Sequence, residues 1–296
     1  MSDNQARQQL ADTVSSAAMW AMMSEAAVTP KPGLVDRANS GSHGDMDFFT
    51  LVDSAAALLP WFRDCVLAGF DSGMEGHREH DPVDLFKALR PKGRVAEDLM
   101  KKATGGVNTH RGYIFCLGIL CAAYGRLRRK TDKPDLNGII EFSKTMTTVL
   151  EEDFSSSHVD GEVSHGEAVY AKSGIKGVRG EVSLGFPSVT KIALPLLGRL
   201  LEEGHSLNDA GVAVLLSLMA SVEDTNIIHR GGIEVFRVVQ EGLRVFLDGE
   251  PNPDMEAIIK KAVTMDREFI SKNLSPGGCA DLLGVTFFLH RILDNK

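Results

Sequence analysis

Apolar residues recur along this chain at spacings of three and four, and stretches that alternate polar with apolar positions are scarce. That period belongs to helices with one buried face, so the chain is expected to be all-α. Val212, Leu215, Leu216 and Met219 form one such stripe, after a start signal in which Ser206 can cap and Asp209 sits three residues later. Phe236, Val239, Leu243 and Phe246 repeat the pattern. Asn252 as cap and Pro253 in the first turn open a further helix, with Ile258, Ala262, Met265 and Phe269 along one side. Helices are also expected at about 5–28, 47–70, 82–102, 111–127, 136–150, 187–203 and 278–292. Pro60, Pro91 and Pro195 fall inside these spans and should kink or break them.

Polar stretches at Asp71–His80, Arg128–Asp135 and Glu151–Val163 read as surface loops, and none is the Pro/Ser-rich linker that divides domains. Residues 1–296 therefore read as a single compact multi-helix domain with functional interhelical loops, without internal repeats. A formal charge of −8 argues against a protein that coats nucleic acid or an anionic membrane. The longest nearly unbroken apolar run, Tyr113–Gly125, is 13 residues, short of the roughly 18 to 20 that a membrane span needs. Cys65, Cys116, Cys121 and Cys279 lack CxxC spacing, which points to buried thiols in a reducing compartment rather than disulfides or zinc. With no secretory signal at the N-terminus, a cytoplasmic protein without a leader is expected.

Chemistry concentrates between the stripes. Thr29–Asp47 presents Lys31, Arg37 and His43 on a backbone stiffened by Pro30 and Pro32, with Asp36, Asp45 and Asp47 as hard oxygen donors; an ordinary interhelical loop is the equal alternative. Ala103–Gly112 places Gly105 and Gly106 just before an apolar helix, an arrangement that can turn backbone N–H groups towards phosphate. Residues 101–130 hold seven Lys or Arg and no acid, an asymmetry that can steer an anionic substrate. His165–Glu167 and Gly177–Pro187 are glycine-rich, which makes helix improbable there. Glu223–Gly232 joins two expected helices and puts acids at one end and Arg230-Gly231-Gly232 at the other. Asn273–Asp281 again sets glycines before a helix. Neither a P-loop nor a strand followed by GxGxxG is present.

Thr29 to Asp45, Thr104 to Gly112, His165 to Glu167, Arg179 to Pro187, Glu223 to Gly232 and Asn273 to Leu283, in this order, resemble the triphosphoribosyl-dephospho-CoA synthase family. That family makes the prosthetic-group precursor for acyl carrier subunits of citrate lyase and malonate decarboxylase. Where its last block commonly reads Pro-Gly-Gly-Ser, this chain has Cys279 and so lacks the hydroxyl. The resemblance implies attack of the 2′-hydroxyl of 3′-dephospho-CoA on C1′ of the ATP ribose, with departure of adenine. It also implies magnesium, and a product passed on to an acyl carrier protein transferase. On that footing Lys31, Arg37, Arg111, Arg179 and Arg230, with Gly105, Gly106, Asn108 and Asn226, are the expected substrate-binding residues. Magnesium ligands are expected among Asp36, Glu223 and Asp224, and proton transfer from His43, His165 or Glu181.

Two rival readings remain at this level. A metal phosphohydrolase of the all-helical His-Asp type is suggested by His80-Asp81, but Pro82 makes Asp81 a helix cap instead. A non-enzymatic helical scaffold has no reason to gather Arg, Asn, His and Gly in several loops, and a homo-oligomer stays open.

Overall fold

The computed structural model describes residues 3–74, 76–78, 80–150, 165–249 and 253–294, with the side chains of residues 165–168 excepted. Among the described residues there are thirteen α-helices and no strand. They are α1 (Asp3–Ala27), α2 (Phe48–Ser72), α3 (Pro82–Ala103), α4 (Arg111–Arg128), α5 (Leu136–Met146), α6 (His165–Ser173) and α7 (Gly177–Ser183). A π-helical turn, Val189–Ala193, leads into α8 (Leu194–Glu202). Then follow α9 (Leu207–Ser221), α10 (Thr225–Gly231), α11 (Ile233–Leu247), α12 (Met255–Ser271) and α13 (Gly277–Asp294).

Side-chain caps set most of the starts. Ser206 accepts from the backbone N–H of Asp209, Asp135 from that of Gly138, and Asp47 forms a reciprocal box with Thr50. Asp81 caps α3 by accepting from Val83 N–H, with Pro82 in the first turn, so the His-Asp pair is not built into a helix interior. Asn252 lies outside the described residues; α12 is capped by Asp254, so Pro253 precedes the cap rather than entering the first turn.

The three prolines behave differently from one another. α2 and α3 run through Pro60 and Pro91 as single helices. Both prolines are exposed, as are Ala56 and Lys87 four residues before them, so water can take over each carbonyl deprived of its donor. Pro195 does break the pattern, since the chain just before it widens into the π-turn and Leu194 N–H reaches back to Val189 O. Three glycine-bearing segments read as loops are instead the short helices α6, α7 and α10. Glu151–Val163 lies outside the described residues.

α4, α9 and α13 are apolar around most of their circumference and form the interior. α2 packs most extensively on α4, at glycine contacts where the backbones nearly touch. A methyl group on Gly69 would lie 2.0 Å from Ala122 O, and one on Gly125 2.2 Å from Val66 O. Gly69→Ala must therefore push the two helices apart and should cost about 1–3 kcal/mol in a urea melt. Gly198→Ala in α8, where the added methyl meets nothing within 4 Å, should be neutral or stabilising by about 0.4–1 kcal/mol. Equal effects at the two positions would show that the α2–α4 contact is slack.

All four cysteines are free thiols and buried. No single described helix is long and apolar enough to cross a membrane.

Candidate active site

The N-terminal ends of α4 and α13 meet in the interior beside the end of α1. Tyr113 Oη donates to Ala280 O at 2.8 Å, and Gly112 lies against Asp281, whose Oδ2 would be 1.9 Å from any Cβ placed there. Residue 112 can only be glycine if Asp281 is to keep this position.

The segment Asn273–Asp281 is a spine to which the other loops attach in sequence. Arg230 donates to Asn273 Oδ1 at 3.0 Å and to Ser42 O at 2.9 Å. Ser42 Oγ donates to Leu274 O at 2.6 Å, and His43 Nε2 lies 3.0 Å from Ser275 Oγ. Gly277 faces Asn226, and Gly278 faces Val178 of α7 and Asp224. Cys279 N–H donates to Asp224 Oδ2 at 2.8 Å. Ala280 and Asp281 then reach Tyr113 and Gly112. Blocks separated by up to about 250 residues of sequence thus converge on nine consecutive residues.

The deep end of this spine is acidic. Glu25 is buried and paired with the buried Nζ of Lys31, which also donates to Glu25 O at 2.8 Å. Asp224 is buried, caps α10 through Asn226 and Ile227, and holds Cys279. Burial pushes its carboxyl upward despite those donors. Asp281 is only half-buried; burial, then the charges of Glu25 and Asp224, push its carboxyl well above the usual range. Burial and the neighbouring Glu25 and Asp281 charges raise the Tyr113 phenol, and burial raises the Cys279 thiol. Glu181 is half-buried and raised by burial; its two oxygens accept from Ser188 Oγ at 2.6 Å and Ser188 N–H at 3.0 Å.

His110 completes the centre. Its Nδ1 lies 2.7 Å from Ser54 Oγ and its ring stacks obliquely on Tyr113, while Nε2 is buried with no hydrogen-bond partner. Burial, and then the charge of Lys31, push its pKa down to about 3. Near the other end of the spine, burial and then the Arg230 charge lower His43, and Asp45 opposes them.

Several of the expected site residues are engaged within the protein itself. Lys31 is a buried partner of Glu25 and holds no surface-facing charge for phosphate. Asp36 spends its oxygens on the N–H groups of Lys31, Ala38 and Asn39, bracing the loop. Asp224 is equally engaged, whereas Glu223 is exposed. Among the described residues no group of three His, Cys, Asp or Glu is arranged to hold a metal ion. Gly105 and Gly106 take positive φ and terminate α3, with Gly106 N–H donating to Lys101 O at 2.7 Å, so they do not turn that donor outward. Arg37 braces the end of α1 by donating to Ala27 O at 2.6 Å and Asn208 Oδ1 at 3.0 Å.

Other candidates keep an outward position. Arg111 is half-exposed beside Glu97, with Nε 3.2 Å from the carboxylate. Asn108 is exposed, and Arg179 is half-buried on α7. His165 begins α6, its side chain outside the described set. Glu25, His110, Tyr113 and Asp281 were missed by pattern reading: each sits within a helix or at its edge, where an isolated polar residue gives no signal. The arrangement can hold anionic groups near Arg230 and Arg111 and exchange protons at the acidic end.

A family model described as ATP:dephospho-CoA triphosphoribosyl transferase matches residues 11–296. A protein of Streptococcus equi subsp. equi, named probable 2-(5''-triphosphoribosyl)-3'-dephosphocoenzyme-A synthase, is 38% identical over 299 residues, covering 96% of this chain and 98% of its own. A protein of Streptococcus pyogenes serotype M49 with the same name is 35% identical over 296 residues, covering 95% and 98%. No solved structure matches the chain.

Proposed function

Because the chain belongs to the ATP:dephospho-CoA triphosphoribosyl transferase family, we propose that it joins C1′ of the ATP ribose to the 2′-hydroxyl of 3′-dephospho-CoA and releases adenine. The C1′–N9 bond breaks, the O2′–C1′ bond forms, and the triphosphate stays on the product. The observation that supports this reading is the spine, Asn273–Asp281, along which the Arg230 guanidinium and the carboxyls of Asp224 and Asp281 are set.

The division of charge fits the reaction. A triphosphate belongs near Arg230 and Arg111, because the acidic interior repels it. The sugar and base belong at the acidic end, where charge develops in an oxocarbenium-like state. Magnesium would arrive on the triphosphate as its counterion. The product would then pass to a transferase that loads an acyl carrier protein.

Chromatography of bases and nucleotides after incubation with ATP, magnesium and 3′-dephospho-CoA tests the reading. Adenine should appear only when both substrates are present. Release of phosphate or pyrophosphate without adenine would sink it in favour of a hydrolase, and no consumption would favour a scaffold. Arg111→Ala should raise KM for ATP while leaving the melting temperature nearly unchanged, since its half-exposed pair with Glu97 is worth at most about 1 kcal/mol. A large loss of stability would make Arg111 a structural residue.

A further inference from the structure

The transferase reading requires a group that helps the purine to leave, and no residue so far has been given that task. We propose that Asp281 is the acid that protonates the departing adenine.

Three observations single it out within the acidic centre. Glu25 is fully buried and bound to Lys31. Asp224 is fully buried and saturated by three backbone N–H groups. Asp281 alone of the three retains partial exposure, and no described residue donates a hydrogen bond to its carboxylate. It is held in place by the absence of a side chain at Gly112. The unpartnered Nε2 of His110, buried on the neighbouring turn of α4, independently marks this interior as holding polar capacity that the protein itself does not fill.

The surroundings favour a neutral carboxyl. Glu25 of α1, Asp224 before α10, and the Tyr113, Cys116 and Cys279 groups of α4 and α13 face Asp281, and the ammonium of Lys31 is committed to Glu25. Burial and then the charges of Glu25 and Asp224 push the Asp281 carboxyl well above the usual carboxylate range, which favours its protonated form.

The balance of the step is as follows. The C1′–N9 electron pair moves onto the purine as the Asp281 proton moves to N7, so adenine leaves neutral. The 2′-hydroxyl oxygen bonds to C1′ and its proton goes to water. Solvent returns a proton to Asp281 before the next turnover. Direct displacement at C1′ puts the hydroxyl and the purine on opposite ribose faces, so Asp281 serves only the purine side.

The inference rests on the transferase reading, and the test separates the two. Adenine release by the intact protein and by Asp281→Asn is compared with ATP and with 7-methyl-ATP, whose purine needs no proton to leave. With ATP the substitution should lower kcat by about 10²- to 10⁴-fold and change KM far less. With 7-methyl-ATP the variant should come within about tenfold of the unaltered protein. The unaltered protein should also lose activity on the alkaline side with ATP and not with 7-methyl-ATP, a readout independent of how the variant folds. Undiminished turnover of Asp281→Asn, equal losses with both donors, or an alkaline limb common to both would overturn the assignment of Asp281 alone. No adenine from the unaltered protein and ATP would overturn the transferase reading and this inference with it.

Discussion

Lys31→Met should destabilise the protein by about 3–5 kcal/mol, because it leaves the Glu25 carboxylate buried without a counter-charge. Both side chains are almost wholly excluded from solvent, at 1% and 3% exposure, so water cannot replace the lost ammonium. The expected result is a large drop in the urea midpoint with little change in slope. The double variant Glu25→Gln/Lys31→Met should recover much of the loss, since no buried charge then remains. Had Lys31 been a phosphate ligand, its removal would leave the midpoint nearly unmoved and raise KM for ATP. An unmoved midpoint would therefore restore the reading drawn from the sequence and contradict the buried pair.

Acid should weaken the fold through His110. Its folded pKa, pushed down to about 3, lies below the ordinary imidazole value of 6.5, so the unfolded chain takes up the proton first. The contribution is complete above pH 6.5 and is lost as pH falls towards about 3. At about 1.4 kcal/mol per pH unit, the loss between pH 6.5 and 5 is about 2 kcal/mol. The raised carboxyls of Asp281, Asp224 and Glu181 act in the opposite sense, binding protons more tightly in the folded state. Comparison with His110→Gln isolates the histidine: the variant should show a shallower decline over this interval. Parallel declines would mean that His110 is protonated in the folded protein, with Nε2 donating to a group that the buried ring does not now meet.

How much of this was legible beforehand depended on whether the physics was local. The stripe of α9, its Ser206 cap and the Asp81-Pro82 start of α3 are settled by neighbours along the chain, and they stand where the pattern put them. α7 and α10 have only seven residues each, too short for periodicity to register, and they lean on one another and on the spine. Asp224 looked like a metal ligand because a carboxylate that caps a helix and one that binds a cation are the same residue type. Only its three N–H donors, one of them 55 residues away, decide between the two roles. Lys31 shows the same limit. Its charge is visible in the sequence and its partner is not, since a lone acid near the end of a helix carries no local signal. Conversely, nothing local to Asp281 signals its place, which depends on the missing side chain of Gly112 that lets its carboxyl rest on α4.

The central claim is that the glycosidic bond of ATP is cut while its anhydride bonds survive. ATP labelled on the γ-phosphate, incubated with 3′-dephospho-CoA and the protein, tests it directly. The label should appear in the coenzyme product, mole for mole with free adenine. Label recovered as phosphate or pyrophosphate, with adenine still attached to its ribose, would contradict it.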